Sequence, residues 1–243
     1  MTRIHHARLV RRETVARYTV EFVFSHDEPD LRFRPGQFIS VRVGMDADNN
    51  PILRSYSIAS PPERRGELVL ILRMVPDGAG SDYFDELRVS DPIEFTGPMG
   101  FFVNDLEHSG DVIYAATGTG ITPFLPMIDE VLSRPETGRV LLYWGLRSEE
   151  DVFAKAELAD FARKSPRFAA QIFLSQPQNH AGPQPHSRNR GRIVGPIVDE
   201  LPRLRTPIFY LCGNGQMIEE LKANLLTRGV NRKRQIRTEA FFD

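Results

Sequence analysis

The chain has 243 residues, enough for one large or two modest domains, with 41% hydrophobic and 26% charged residues, as a globular protein has. Lys and Arg total 31 against 32 Asp and Glu, and the net charge of −1 gives no overall pull toward nucleic acid or an anionic membrane. The one cysteine, Cys212, excludes an intramolecular disulfide and an iron–sulfur cluster held within the chain, which needs four thiolates. The first hundred residues read as strands. "RYTVEFVFS" (17–25) alternates through Tyr18, Val20, Phe22 and Phe24. "GQFISVRVG" (36–44), "RSYSIAS" (54–60), "GELVLILRMV" (66–75) and "DPIEFTGP" (91–98) follow, with Pro, Gly and Asp between them. "DADNNP" (46–51) starts like a calcium loop but has Pro51 at the glycine position, and reads as a hairpin turn. Only "SDYFDEL" (81–87) reads as a helix in this half.

After residue 104 strands alternate with helices. Strands are expected at 111–116, 139–144, 167–174 and 206–213, and helices at 124–134, 151–164 and 216–229. That order predicts a parallel α/β sheet over 105–243, following a small antiparallel β-barrel over 1–104. Residues 176–190 read as one polar loop, long for a compact domain. The six histidines are scattered without zinc spacing, so no metal site is expected. The first residues lack the apolar core of a signal peptide, and no apolar run nears the ~18 residues of a membrane helix. With a lone thiol, this points to the cytoplasm.

Three glycine turns carry chemistry. "ATGTGITPF" (116–124) joins a strand to a helix, and Gly118 and Gly120 let the backbone turn tightly and approach a ligand. The helix start offers N–H donors to an anion, and Thr119 and Thr122 add hydroxyls. Pro123 suits a first helical turn. "LCGNGQM" (211–217) repeats the arrangement on a later strand with Gly213 and Gly215. In open α/β sheets that edge binds ligands. Cys212 there is either a buried small hydrophobe or a neighbour of a bound ring. "PDGAGSDYF" (76–84) is either a hairpin with Ser81 as helix cap or a further anion site. Arg54 would suit a phosphate, through the planar fork of its guanidinium.

Taken in order, "RSYS" (54–57), "GAGS" (78–81), "GTGITP" (118–123) and "CGNGQM" (212–217) resemble the ferredoxin–NADP reductase superfamily over essentially the whole chain. "VPDGAGSDYFDEL" followed by "GPMGFF" is similar to the bacterial ferredoxin/flavodoxin reductases. The resemblance implies an enzyme with FAD on the barrel and NADP(H) on the α/β domain, with hydride passing between nicotinamide and flavin. It implies Arg54 on the FAD pyrophosphate, Tyr56 on the isoalloxazine and Ser57 at its N5 edge. Ser55, Ile71 and Arg73 would border the flavin, and Gly78, Ala79, Gly80 and Ser81 would hold its phosphates. Thr117, Gly118, Thr119, Gly120, Ile121, Thr122 and Pro123, with Cys212, Gly213, Asn214 and Met217, would hold the nicotinamide nucleotide. Ser57, Cys212 and Glu239 are the implied catalytic residues, and Phe241 or Phe242 would cover the flavin. Relatives carry Tyr or Trp where this chain has two phenylalanines.

Arg147, Ser175 and Arg192 occupy positions where the family reads the adenosine ribose, and the arginines favour NADP. Glu149, Glu150 and Gln176 weigh the other way. The implied partner is a ferredoxin or flavodoxin on a separate chain, with the reductase a monomer. Alternatives are a reductase component of an oxygenase, a free-flavin reductase, or a non-catalytic flavin-binding subunit. The basic run "NRKRQIR" (231–237) is either a solvated turn or a guide for an acidic partner.

Overall fold

The computed structural model describes residues 3–28, 31–176 and 188–241. The chain packs as two compact units, Met1–Val103 with Thr122–Met127, and Asn104–Ile121 with Ile128–Asp243.

The first unit holds β1 (Ile4–Ala16), β2 (Thr19–Ser25), β3 (Phe38–Met45), β4 (Pro51–Ser57), β5 (Glu67–Arg73), α1 (Ala79–Glu86) and β6 (Pro92–Met99). The strands form one antiparallel sheet in the order β4-β3-β6-β1-β2-β5. β1 has no counterpart in the sequence reading, although it is central. Its inward positions are His5, Ala7 and Leu9, two of them weak apolar signals, and the outward ones mix apolar Ile4 and Val10 with His6 and Arg8, which blurs the alternation. His5 is buried by stacking on Phe95, with ring centres 5.4 Å apart. The hairpin at 46–50 is as expected. Asp46 Oδ1 accepts from the N–H groups of Asp48 (2.9 Å) and Asn50 (2.8 Å), and these bonds, Asn50 first, hold its carboxyl below the usual range.

β4 and β5 are the two sheet edges, and the sheet closes between them at one end only. Ala59 N–H donates to Val69 O (2.9 Å), and Val69 N–H donates to Ser60 Oγ (3.1 Å). Among the described residues no ladder joins Arg54–Ser57 to Ile71–Arg73. The outward main-chain groups of both edges there are open to a ligand. Inside, Phe22, Phe24, Leu68, Leu70, Ile39 and Phe95 are buried. Phe84 of α1 plugs this core, meeting Phe22 and Tyr56 edge-on at 5.0 Å each.

The second unit holds β7 (Val112–Thr117), β8 (Val140–Leu146), α3 (Lys155–Lys164), β9 (Phe168–Leu174), β10 (Arg188–Arg190), α4 (Val194–Glu200), β11 (Ile208–Asn214), α5 (Gly215–Leu226), α6 (Arg232–Gln235) and β12 (Ile236–Phe241). The helix after β7, α2 (Phe124–Leu132), contributes Ile128 onward, its first turn grouping with the first unit. All strands are parallel, in the order β10-β9-β8-β7-β11-β12. The order runs outward from β7 and then returns to its other side, so a topological switch lies between β7 and β11. Both strands are buried almost throughout, as in a sheet covered on both faces. α3 starts later than its periodicity predicts because Ala154 takes a left-handed conformation (φ 51°). β10 falls at the end of the segment read as loop, and residues 177–187 lie outside the described ones. α4, α6 and β10 are elements the sequence reading did not separate from their loops.

At the switch, two glycines bring the strand ends together. A Cβ on Gly120 would lie 2.5 Å from Cys212 O, and one on Gly213 (φ 117°) would lie 2.6 Å from Thr117 O. Thr117 Oγ1 then accepts from Asn214 N–H at 2.8 Å. Gly120→Ala should lower the unfolding free energy by about 1–3 kcal/mol in urea titration, as overpacking does. Gly215→Ala, with nothing within 4 Å of the new methyl, should change it by less than about 0.5 kcal/mol. Equal midpoints for Gly120→Ala and the parent would contradict the close turn.

Candidate functional site

In the first unit, alternation along β4 puts Arg54 and Tyr56 on one face and Ser55 and Ser57 on the other. The Arg54–Tyr56 face meets α1. A Cβ on Gly80 would collide with Tyr56 Oη and come within 3.5 Å of Arg54 Cγ. The three residues therefore converge, and a side chain at position 80 would require the Tyr56 hydroxyl to shift. Arg54 is exposed, donates to Leu53 O at 2.9 Å, and has no carboxylate partner among the described residues. Gly78 stands at the N-cap of α1 and no side chain caps it, leaving first-turn N–H groups for a ligand. Ser81 is not the cap. It lies inside the helix, and its Oγ accepts from Val75 N–H at 2.8 Å, which ties the 75–81 turn down. Tyr56 is half-buried, and burial pushes its phenol to about 12 against the pull of Arg54, so it stays a neutral hydroxyl. Ser57 is buried at the end of β4, while Ile71 and Arg73 lie on the opposite edge, β5.

In the second unit, Gly118–Ile121 forms a 3₁₀ turn, and α2 begins only at Phe124. Gly118 (φ 54°) has open space where a Cβ would be. Thr119 is half-buried beside it. The rest of the turn is packed. The Cα of Gly120 is pressed on the end of β11. The side chains of Ile121, Thr122 and Pro123 are buried, so they pack and do not line the open turn. Thr122 Oγ1 is buried with no partner among the described residues.

Cys212 is fully buried, and burial, then the Glu239 charge, push its thiol well above the usual range. It therefore holds its proton at neutral pH. Glu239 stands opposite Cys212 in the β11–β12 ladder, so the two are brought together from 27 residues apart in sequence. Asn214 caps α5, its side chain accepting from Met217 N–H at 3.2 Å, and Met217 is buried. Phe241 ends β12 half-buried, and Phe242 lies outside the described residues.

Arg147 and Ser175 follow adjacent strands, β8 and β9. Gln176 N–H donates to Arg147 O (2.8 Å), and Ser175 N–H to Leu146 O (3.0 Å). The Ser175 hydroxyl also donates to Leu146 O at 3.3 Å, so it already has a partner. The Arg147 side chain is exposed without a carboxylate partner among the described residues. Arg192 approaches Glu220 at 3.8 Å.

Two positioning residues escaped the sequence reading. Trp144, completely buried, donates Nε1–H to Gly118 O at 2.8 Å and thereby fixes the open turn. Ser148 gives its N–H (2.9 Å) and hydroxyl (3.2 Å) to Asp151 Oδ2, which pins the chain just after Arg147. The Ser-x-x-Asp spacing was a readable signal for the second. Trp144 gave no signal beyond a strand apolar residue.

Residues 6–103 match the oxidoreductase FAD-binding domain family, and residues 115–223 match the oxidoreductase NAD-binding domain family. NADH-cytochrome b5 reductase 1 of Dictyostelium discoideum is 30% identical over 86% of this chain and 72% of its own. The chain belongs to the ferredoxin–NADP reductase superfamily. Ferredoxin–NADP reductase B of Sorangium cellulosum is 29% identical over 92% of this chain and 91% of its own. A reductase component of the naphthalene 1,2-dioxygenase/salicylate 5-hydroxylase systems from Ralstonia sp. is 29% identical, and the chain spans only 58% of its length. The solved ferredoxin NADP+ reductase from Neisseria gonorrhoeae has the same fold, with a TM-score of 0.83 at 23% identity over 100% of both chains.

As a member of this superfamily the chain is an FAD- and NAD(P)-dependent oxidoreductase. The cradle that a Cβ at Gly80 would fill, beside an unpaired Arg54 and an uncapped helix start, fits a flavin diphosphate. Among the described residues no group of His, Cys, Asp or Glu gathers that could hold a metal ion. None of the described helices is long and apolar enough to cross a membrane.

Arg54→Ala should weaken FAD retention about ten- to a hundredfold, from about 1.5–3 kcal/mol for a charge-assisted hydrogen bond. Equilibrium dialysis against apoprotein reads it out, and an unchanged FAD affinity would remove Arg54 from the diphosphate.

Proposed function

We propose that the chain draws electrons from NADPH and passes them to a separate one-electron carrier, a ferredoxin or flavodoxin, as a cytoplasmic monomer. The FAD-binding part is 1–104 and the NADP-binding part 105–243. The convergence of Arg54, Tyr56 and Gly80 at an uncapped helix carries the reading, since it provides for a tightly held flavin. The match to a ferredoxin–NADP reductase over nearly the whole of both chains supports the choice of carrier. Bound FAD supplies a centre that takes two electrons as hydride and releases them singly.

The chain's own residues bind and orient. Arg54 and the first-turn N–H groups of α1, from Ala79 to Ser81, take the diphosphate. Tyr56, kept a phenol by burial, packs on the ring, and Ser57 offers a hydroxyl to its N5 edge. The open edges at Ile71 and Arg73 give main-chain groups to the flavin rim. Gly118 and Thr119 hold the nucleotide phosphates, with the turn fixed by Trp144. Arg147 and Arg192 read the 2′-phosphate. Cys212 keeps its proton, and the Glu239 carboxyl opposite it is the group that relays a proton, taking one up from solvent before passing it on.

A second reading is a reductase component of an oxygenase. It is supported by the dioxygenase reductase, of which this chain spans 58%.

FAD-loaded protein should be bleached by NADPH and should reduce cytochrome c only when ferredoxin or flavodoxin is added. A rate indifferent to both carriers would sink the reading. Arg147→Ala should cut kcat/KM for NADPH about ten- to a hundredfold and change it little for NADH. Equal losses with both nucleotides would refute contact with the 2′-phosphate.

A further inference from the structure

A cluster of cations in the second unit takes no part in the chemistry above. α6 is short but firmly held. Asn231 Oδ1 accepts from the N–H groups of Lys233 (3.1 Å) and Arg234 (3.0 Å). Gln235 Nε2 donates to Pro207 O at 2.8 Å, which fastens α6 beside the start of β11. Arg237 Nη1 donates to Lys233 O at 2.9 Å, so one arginine is oriented by the backbone of the turn before it.

Between α5, α6 and β12 lies a pocket of about 340 Å³, lined by Lys222, Arg232, Lys233, Ile236, Arg237 and Thr238. Four of its six lining residues are cationic and none is acidic. Lys222 pairs with Glu219 at 2.5 Å. Arg232, Lys233 and Arg237 have no carboxylate partner among the described residues. Like charges gathered in one concavity repel, and an anion bound among them turns that cost into attraction.

The pocket is separate from the nucleotide end of the sheet. Arg237 stands opposite Tyr210, and Gly213 lies three residues further along β11. At about 3.3 Å per residue that is roughly 10 Å toward the opposite end of the strands. Its volume sits at the low end of small-ligand pockets, about 300–1,000 Å³. A protein partner would need a surface of about 800 Å². A concavity of this volume with four cations on its walls has the size and charge for a small anion.

We propose that the pocket formed by Lys222, Arg232, Lys233 and Arg237 is a binding site for a small phosphorylated anion, distinct from the dinucleotide site. The inference does not depend on the choice of electron carrier. Binding here weakens with salt, because the pairs are partly exposed and screened.

Inorganic pyrophosphate is the probe, titrated calorimetrically into FAD-loaded protein at low ionic strength. Saturating NADP+ keeps the dinucleotide site filled. One pyrophosphate site should remain in the wild type. The double variant Lys233→Gln with Arg237→Gln should weaken it about ten- to a hundredfold while leaving NADP+ affinity unchanged. Lys233→Gln alone alters only an exposed side chain, guards against misfolding, and should still weaken binding severalfold. Arg147→Ala should leave pyrophosphate binding as it was. Loss of the pyrophosphate signal once NADP+ is present would overturn the site. So would equal affinity in the wild type and both glutamine variants.

Discussion

Close approach at a few missing Cβ atoms is the constraint on which both binding edges rest. A methyl group at Gly120 or Gly213 would strike the main chain of the neighbouring strand end, and one at Gly80 would strike the Tyr56 hydroxyl. In the α/β unit this closeness brings Thr117 and Asn214 into hydrogen-bonding range and leaves Gly118 as the open point of the turn. In the barrel unit it lets α1 settle on β4, so that Arg54 stands beside the start of the helix. In the barrel unit α1 is also fastened to β1, where Arg12 pairs with Asp85 at 2.8 Å. At the glycines themselves the fit is one of shape, and Arg54 stands beside Gly80 without a carboxylate partner among the described residues.

The two units solve the same chemical problem in different ways. FAD and a nicotinamide dinucleotide both carry a diphosphate, and each unit has a glycine turn: Gly80 lies at an uncapped helix start beside Arg54, and Gly118 has open space where a side chain would be. The barrel adds a second device. Its closure stops at Ala59, Ser60 and Val69, so the edges of β4 and β5 keep unpaired main-chain groups where a continuous barrel would have consumed them. An open strand edge is ordinarily a hazard for aggregation. Here a bound flavin would cover it.

Sequence alone was enough for the two-unit architecture, the alternation in the second half and the motifs that bring Arg54, Tyr56 and Gly80 together. Strong periodicity and glycines at strand ends carry that information locally. β1 stayed hidden because its inward residues include His5, which becomes core by stacking on Phe95 of a neighbouring strand, and Ala7, a weak apolar signal. The roles within "GTGITP" were also hidden. Nothing in the letters says that Gly118 is open while Gly120 is packed against Cys212, because that depends on a strand almost a hundred residues away. Ser81 looked like a cap, yet the helix begins earlier and its hydroxyl serves the preceding turn. The proximity of Cys212 and Glu239 follows from register between β11 and β12, which local pattern does not specify.

Trp144 is the only tryptophan in the chain. Its indole is sealed from water, edge-on to Phe153 at 5.0 Å, and bonded to the carbonyl of Gly118. Indole emission shifts in wavelength and intensity with the polarity and hydrogen bonding around the ring. The protein thus carries an intrinsic optical probe at the floor of the Gly118 turn. With no other indole to dilute the signal, a rearrangement of Gly118 would be visible in the emission of the native chain without any attached label.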